Sequence, residues 1–149
     1  MIGSIARGVA AVVLGFLAAA FFIVATEGVS AYLYPPAEGC DLTNMEDCRA
    51  HITGLPASAF LIGVAGWALA VFASSWVATR LGVARHPAFG IALGLLLLAA
   101  AIMNMSMLPY PIWFWVGNLI AFPLCTVLGV LLARGPSGPR ARSGLSECR

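Results

Sequence analysis

Long uncharged stretches divide the chain into segments of membrane-spanning length. The first runs from 8 to 33 and holds only Glu27 as a charged residue, while 52–79 and 87–133 hold no charge at all. A helix needs about 20 apolar residues to cross the hydrocarbon core of a bilayer. Because 87–133 is too long for one crossing and a Pro-Tyr-Pro sequence divides it almost in half, we predict a tight turn there between two antiparallel helices.

This pattern predicts an all-α membrane protein, a bundle of four transmembrane helices. No segment alternates as barrel strands do, and backbone groups in lipid must be hydrogen-bonded within the segment. The predicted spans are about 8–33, 56–79, 88–107 and 112–133 in a transmembrane domain over 1–134. They leave an exterior loop at 34–55 and a disordered cytoplasmic tail at 135–149, which is rich in Gly, Pro, Ser and Arg.

Composition excludes water as the main solvent. Of the 149 residues, 61% are hydrophobic and 9% are charged, and the mean hydropathy is +0.96, whereas a soluble domain carries about 25% charge. The net charge of +2 is too small to indicate nucleic-acid binding. We therefore predict that the protein contacts the lipid bilayer and does not bind nucleic acid.

The placement of arginine predicts the orientation of the bundle. Six membrane-flanking arginines fall on one side of the predicted membrane: Arg7, Arg80, Arg85, Arg134, Arg140 and Arg142. Only Arg49 falls on the other side, in a loop that also carries four acidic residues. Since basic residues favour the cytoplasmic side, we predict that both termini are cytoplasmic.

A cleaved signal peptide is the alternative interpretation of the first span. Arg7 precedes an apolar run, and the Val-Ser-Ala sequence at 29–31 resembles a small-residue cleavage site. The run is longer than the roughly 7–15 apolar residues of such peptides, and Glu27 lies just before the cut. We therefore predict a retained span, although cleavage would leave three spans and an exterior N-terminus.

Small residues recur every four positions and predict the faces through which the helices pack, because lipid offers little hydrophobic drive between helices. The longest row, in the fourth span, is Gly117, Ala121, Cys125, Gly129 and Ala133. The second span has Gly66, Ala70, Ser74 and Ala78. Shorter rows are Gly90 and Gly94 in the third span and Ala11, Gly15 and Ala19 in the first. Chance is the alternative, since Gly, Ala and Ser are abundant in this chain.

Glu27 is the only ionisable residue inside a predicted span, less than two helical turns from its exterior end. A carboxylate at that depth is costly unless it faces the bundle interior, finds donors or takes up a proton. Asn104 and Asn118 occupy the same slab, so the three side chains predict a polar intramembrane site that opens outward, with Ser58 or Ser106 as further members. The alternative is that they bond one another and fix the helix register.

The exterior loop carries two cysteines, Cys40 and Cys48, in a compartment that should be oxidising, which predicts a disulfide. Thr43 followed by Glu46 matches a capping box, so we predict a short helix over 44–51.

A metal site is the alternative role for this loop. Cys48 and His51 lie one helical turn apart, with Cys40 and Asp41 nearby. One histidine and no CxxC motif do not favour it, so no metal or other cofactor is predicted. The lack of CxxC likewise argues against thiol oxidoreductase chemistry.

Aromatic residues collect at the exterior ends of the spans, where such rings favour the headgroup level. They are Tyr32, Tyr34, Tyr110, Trp113 and Trp115. An aromatic belt is the first interpretation and a binding platform the second.

No sequence pattern indicates catalysis. Ser74 and Ser75 have no base near them in sequence, no histidine lies inside a span, and Cys125 fits a packing position. We therefore predict that the protein is not an enzyme.

Three segments carry a resemblance to small four-span bacterial inner-membrane proteins: ARGV at 6–9, GWALAVFASSWVATRL at 66–81 and NMSMLPYPIWFWV at 104–116. The resemblance implies the fold and a location in the inner membrane of a bacterial cell, and it implies no chemistry. The sequence then favours a structural or accessory component that contacts itself or a larger membrane-protein complex through its helices. The second hypothesis is a small proton- or ion-coupled transporter that uses Glu27.

Overall fold

The computed structural model describes residues 2–37 and 43–135. Five α-helices account for most of them: α1 (Ile2–Leu33), α2 (Met45–Gly54), α3 (Ala57–Leu81), α4 (Pro87–Met107) and α5 (Ile112–Arg134). A one-turn 3-10 helix, Val83–Arg85, links α3 to α4, and no strand occurs in these residues. Four of the helices, α1, α3, α4 and α5, are long and apolar enough to cross a membrane, which confirms the four long apolar helices predicted from the sequence.

Three of the four spanning helices end within two residues of the predicted bounds, and α1 differs most because it begins at Ile2. Hydropathy places the start of this helix at residue 8, where the apolar run begins. The helical backbone starts earlier, so α1 includes the charged residue Arg7. The Arg7 side chain uses this extension, since its Nε donates to the carbonyl oxygen of Leu81 at 3.0 Å.

One end of the bundle, here called the arginine end, carries Arg7, Leu81 and Arg134. The last carbonyls of a helix have no partner within it and attract cationic donors. At this end Arg7 caps α3, and Arg80 Nη1 donates to the carbonyl oxygen of Ala133 in the last turn of α5 at 3.3 Å. Arginines at this end therefore tie neighbouring helices together.

The opposite end, here called the α2 end, carries α2 and the turn between α4 and α5. Arg49 of α2 donates from Nε and Nη2 to the carbonyl oxygen of Met107, at 3.2 and 3.1 Å. The N-cap of α2 is Asn44, whose Oδ1 accepts from the Glu46 N–H at 3.0 Å. The predicted short helix is present, but the predicted Thr43 cap is wrong by one residue, because the asparagine side chain takes the capping position.

Helix α3 lies at the centre and packs against α1, α4 and α5. Its contact with α1 is close at Gly15, where an added Cβ would lie 3.0 Å from the Ser74 carbonyl oxygen and 3.0 Å from the Ala78 Cβ. Ala11 and Ala19 of α1 are fully or almost fully buried beside it. In α3 the row is buried at Ala70, Ser74 and Ala78, and Gly66 is half-buried against Thr26.

Helix α5 turns its bulky residues, more than its small ones, toward the core. Its buried residues are Phe114, Asn118, Phe122, Thr126, Gly129, Val130 and Ala133. Of the predicted row, Gly129 and Ala133 are buried while Gly117, Ala121 and Cys125 are half-buried. Positions four apart advance by about 40° around a 3.6-residue helix. The row therefore meets α3 near the arginine end and has rotated off that contact toward the α2 end.

We predict that Gly129→Ala lowers the stability of the bundle by about 1–3 kcal/mol, because overpacking rigid backbone is costly. A Cβ at Gly129 would lie 2.7 Å from the carbonyl oxygen of Phe72 and 3.0 Å from the amide nitrogen of Trp76. Gly117→Ala in the same row is the matched control, since its Cβ would lie 3.8 Å from Val64. Thermal unfolding in detergent measures both, and equal midpoints for the two variants would contradict this packing.

Candidate functional site

A cavity of about 430 Å³ lies at the α2 end, within the size range of small-molecule sites. We call it the Glu27 cavity. It is lined by residues of all five helices and their connections: Ile23, Thr26, Glu27, Ser30, Ala31, Tyr34, Pro36, Cys48, His51, Ile52, Leu55, Ala59, Phe60, Gly63, Trp67, Asn104, Leu108, Tyr110 and Phe114.

Helix α1 supplies the charged side of this cavity and α2 covers it. Ile23, Thr26, Glu27 and Ser30 recur at the three- and four-residue spacing that places side chains on one face of a helix. The short helix α2 contributes its own inward face, where Ile52 is buried.

A hydrogen bond fixes the chain where it leaves α1. The Tyr34 hydroxyl lies 2.7 Å from the Ser58 Oγ at the start of α3. Ser58 therefore supports the rim without lining the cavity. Ser106 does not join the site either, because its Oγ donates to the Met103 carbonyl oxygen of its own helix at 2.7 Å.

Aromatic rings form the wall opposite Glu27. Tyr110 and Phe114 are stacked, with ring centroids 4.7 Å apart and an interplanar angle of 12°. Phe60 and Trp67 meet Phe114 edge-on at 5.7 and 5.6 Å. Rings that pack against one another in offset or edge-on geometry hold each other in place, so this wall is preorganised.

The five residues predicted to form an aromatic belt all lie at this end of the bundle, where Trp113 meets Phe60 edge-on at 6.0 Å and Trp115 is half-buried. Tyr32 is 85% exposed and suits the belt. Tyr34 and Tyr110 line the Glu27 cavity. The set therefore divides between exposed positions and the cavity lining, and both interpretations of it stay predictions.

Glu27 has no hydrogen bond or ion pair within the described part of the chain, and its side chain is exposed. Its charge acts on Tyr110. The pKa of Tyr110 is raised to about 12, chiefly by burial and then by the negative charges of Glu27 and Cys48, because each disfavours the tyrosinate. A neutral phenol therefore faces a carboxylate across the cavity.

Asn104 shares the Glu27 cavity, but Asn118 does not. Asn104 is exposed and reaches both this cavity and a smaller one below it. Asn118 is fully buried in α5, where its Nδ2 donates to the Phe114 carbonyl oxygen at 2.9 Å and its Oδ1 has no partner. The predicted three-residue site is thus reduced to Glu27 and Asn104, because Asn118 lies on the core face of α5 with Phe114 and Phe122.

The smaller cavity, about 190 Å³, is here called the Trp67 annex. Its lining is apolar apart from Trp67 and Asn104: Ile23, Trp67, Ala70, Val71, Leu97, Ala100, Ala101, Asn104 and Phe122. Three of these residues, Ile23, Trp67 and Asn104, also line the Glu27 cavity. The two spaces are therefore adjacent, and the Trp67 indole N–H at their boundary is buried without a hydrogen-bond partner.

Cys48 and His51 both reach the Glu27 cavity from α2. Cys48 is a half-buried free thiol, while Cys40 and Asp41 lie outside the described residues. The disulfide therefore remains a prediction. No group of three or more His, Cys, Asp or Glu side chains converges on a possible metal position in 2–37 and 43–135.

Sequence reasoning missed the part that α3 plays in this site. Phe60 and Trp67 lie seven residues apart, a spacing of two turns that puts both on one face, and that face is the one signal that could have found them. No known protein family matches the chain, and no match was found among curated proteins or among solved structures.

We predict that Glu27→Gln lowers the pKa of Tyr110 below about 12 while leaving it above 10.0, because burial is the larger cause of the shift. Tyrosinate absorbance during an alkaline titration measures it, with Tyr110→Phe to identify the signal among three tyrosines. Glu46→Gln removes the same charge from α2 outside the cavity lining and should leave the titration unchanged.

The raised pKa of Tyr110 also determines how the stability of the folded protein changes with pH. The unfolded chain loses the Tyr110 proton near pH 10.0 and the folded chain near 12, so stability falls as pH rises across that window. Tyr110→Phe keeps the ring stack and should remove this part of the loss. An unchanged alkaline unfolding profile would contradict the raised pKa.

Proposed function

We propose that the protein is a non-enzymatic accessory component of a bacterial inner membrane, which acts through contacts between its helices and those of a second copy or a larger complex. The four apolar helices are compatible with an integral, multi-pass membrane protein. The observation that carries the accessory role is the close packing of the half of the bundle nearest the arginine end.

In that half the helix backbones approach so closely that no side chain fits between them. A Cβ on Gly90 would lie 2.6 Å from the Ser75 carbonyl oxygen, and the Ser75 hydroxyl donates to the Gly90 carbonyl oxygen at 3.2 Å. Gly129 and Gly15 also lie close to α3, since an added Cβ would meet the Phe72 carbonyl oxygen at 2.7 Å and the Ser74 carbonyl oxygen at 3.0 Å, respectively. A passage for ions or solutes would require these contacts to separate, so the packing favours a rigid scaffold over a conduit.

Charge at the helix ends supports the proposed orientation. Arg7, Arg80, Arg85 and Arg134 belong to the arginine end, and Arg49 belongs to the α2 end. Basic residues concentrate on the cytoplasmic side, so both termini are proposed to be cytoplasmic. The extended contact of α1 with α3 supports a retained first span.

A small proton- or ion-coupled transporter is the second candidate, and the position of Glu27 favours it. The carboxylate lines a cavity that opens at one end of the bundle, as a coupling site would. Both candidates use the same fold, but only the transporter requires Glu27 to exchange a proton during transport.

The accessory role predicts a defined assembly and no Glu27-dependent flux. Native mass spectrometry after gentle extraction should give a dimer or a stoichiometric complex. In liposomes with a pH gradient and an enclosed pH-sensitive dye, the protein and its Glu27→Gln variant should leak protons no faster than empty liposomes. A monomer whose proton flux is lost in Glu27→Gln would replace the accessory role with the transporter.

The proposed orientation predicts opposite labelling of two cysteines. In intact spheroplasts, a membrane-impermeant maleimide should label Cys48, and it should label Cys148 only after lysis. If the predicted disulfide forms, Cys48 reacts only after mild reduction, and Cys40→Ser removes that requirement. Labelling of Cys148 in intact spheroplasts would reverse the orientation.

A further inference from the structure

We propose that the Glu27 cavity and the Trp67 annex together bind an amphiphile that carries an ammonium group. The charged head would lie between Glu27 and the aromatic wall, and the apolar part would enter the annex. This binding site does not depend on the accessory role proposed above.

Charge favours a cation over an anion or a neutral polar ligand. Glu27 is the one carboxylate in the lining, and no arginine lines the cavity within the described residues. Arg49, the arginine of the α2 end, is engaged by the Met107 carbonyl oxygen. The carboxylate is without a hydrogen bond or ion pair in the same part of the chain, so it is available to a ligand.

The wall opposite Glu27 selects the kind of cation. The rings of Phe60, Trp67, Tyr110 and Phe114 contact one another and all four line the cavity. Aromatic faces attract alkylated ammonium groups, which give up hydration more readily than small metal ions do. Glu27 supplies one carboxylate, and the other oxygen groups of the lining, such as those of Ser30 and Asn104, are neutral, so the cavity lacks the several carboxylates that favour a hard metal ion.

The apolar part of the proposed ligand is inferred from the Trp67 annex. The annex adds about 190 Å³ of space against alanine, valine, leucine and phenylalanine side chains, and it shares three wall residues with the Glu27 cavity. A charged region joined to an apolar region matches a molecule with the same division. Two sources supply this chemistry: a membrane lipid with an amine headgroup and a water-soluble aromatic amine.

The first experiment measures the head-binding chemistry with a soluble probe. The full-length chain in phosphatidylglycerol nanodiscs is titrated with benzyltrimethylammonium and followed by tryptophan fluorescence. We expect saturable binding that weakens roughly tenfold in Glu27→Gln, where the carboxylate is lost but the rings remain. Glu46→Gln is the matched control and should bind as the unaltered protein does. Neopentylbenzene, in which carbon replaces the nitrogen, should bind weakly to both.

The second experiment distinguishes the sources. The protein is extracted from membranes of equal phosphatidylethanolamine and phosphatidylglycerol, and native mass spectrometry records which lipid it retains. Preferential retention of phosphatidylethanolamine that is lost in Glu27→Gln identifies a lipid ligand. Glu27-dependent binding of the soluble probe without that preference identifies a soluble amine. The proposal would be overturned if neither the soluble probe nor phosphatidylethanolamine bound in a Glu27-dependent way. It would also be overturned if Glu27→Gln and Glu46→Gln bound the probe equally well, or if neopentylbenzene bound as tightly as the probe.

Discussion

The close approach of the α3 backbone to its neighbours is the constraint on which the rest of this structure depends. Lipid supplies little hydrophobic drive between helices, so stability must come from contact distance and local hydrogen bonds. Gly15, Gly90 and Gly129 bring three helices against α3 at positions where a methyl group would meet backbone atoms. Toward the α2 end, bulky rings such as Phe60 and Phe114 take the place of these small residues. The cavity therefore lies at the α2 end, where large side chains separate the helices, and not at the arginine end, where the backbones are in close contact.

The position of Glu27 follows from this division. A carboxylate among the glycine contacts would face packed backbone with no room for solvent or a counter-ion, and its desolvation would be costly. At the α2 end it borders an open cavity that Tyr110 also lines, and its charge adds to the effect of burial in raising the pKa of that phenol. The charge therefore shapes the electrostatics of the cavity without disturbing the helix contacts.

The arginines that predict the orientation of the bundle also form hydrogen bonds between its helices. Arg7, Arg80 and Arg49 each donate to a carbonyl oxygen in or next to the last turn of another helix. Those carbonyls lack partners within their own helices, so each arginine satisfies a helix end and joins two elements at once. At the α2 end, the bond from Arg49 to Met107 holds α2 over the cavity, which makes this short helix part of the site.

The sequence by itself determined the four helices, because the length of an uncharged run and the cost of unbonded backbone in lipid are local properties. It also placed Glu27 and Asn104 at similar depth, since helical rise converts residue number into depth. Only the tertiary structure decided which faces meet. The row from Gly117 to Ala133 looks continuous in sequence, but a four-residue step rotates around the helix, so only its end at Gly129 and Ala133 is buried. Asn118 lies at the depth predicted for Glu27, but its side chain does not enter the same cavity. Which way it points depends on how α5 is rotated against α3, and contacts between distant parts of the chain set that rotation.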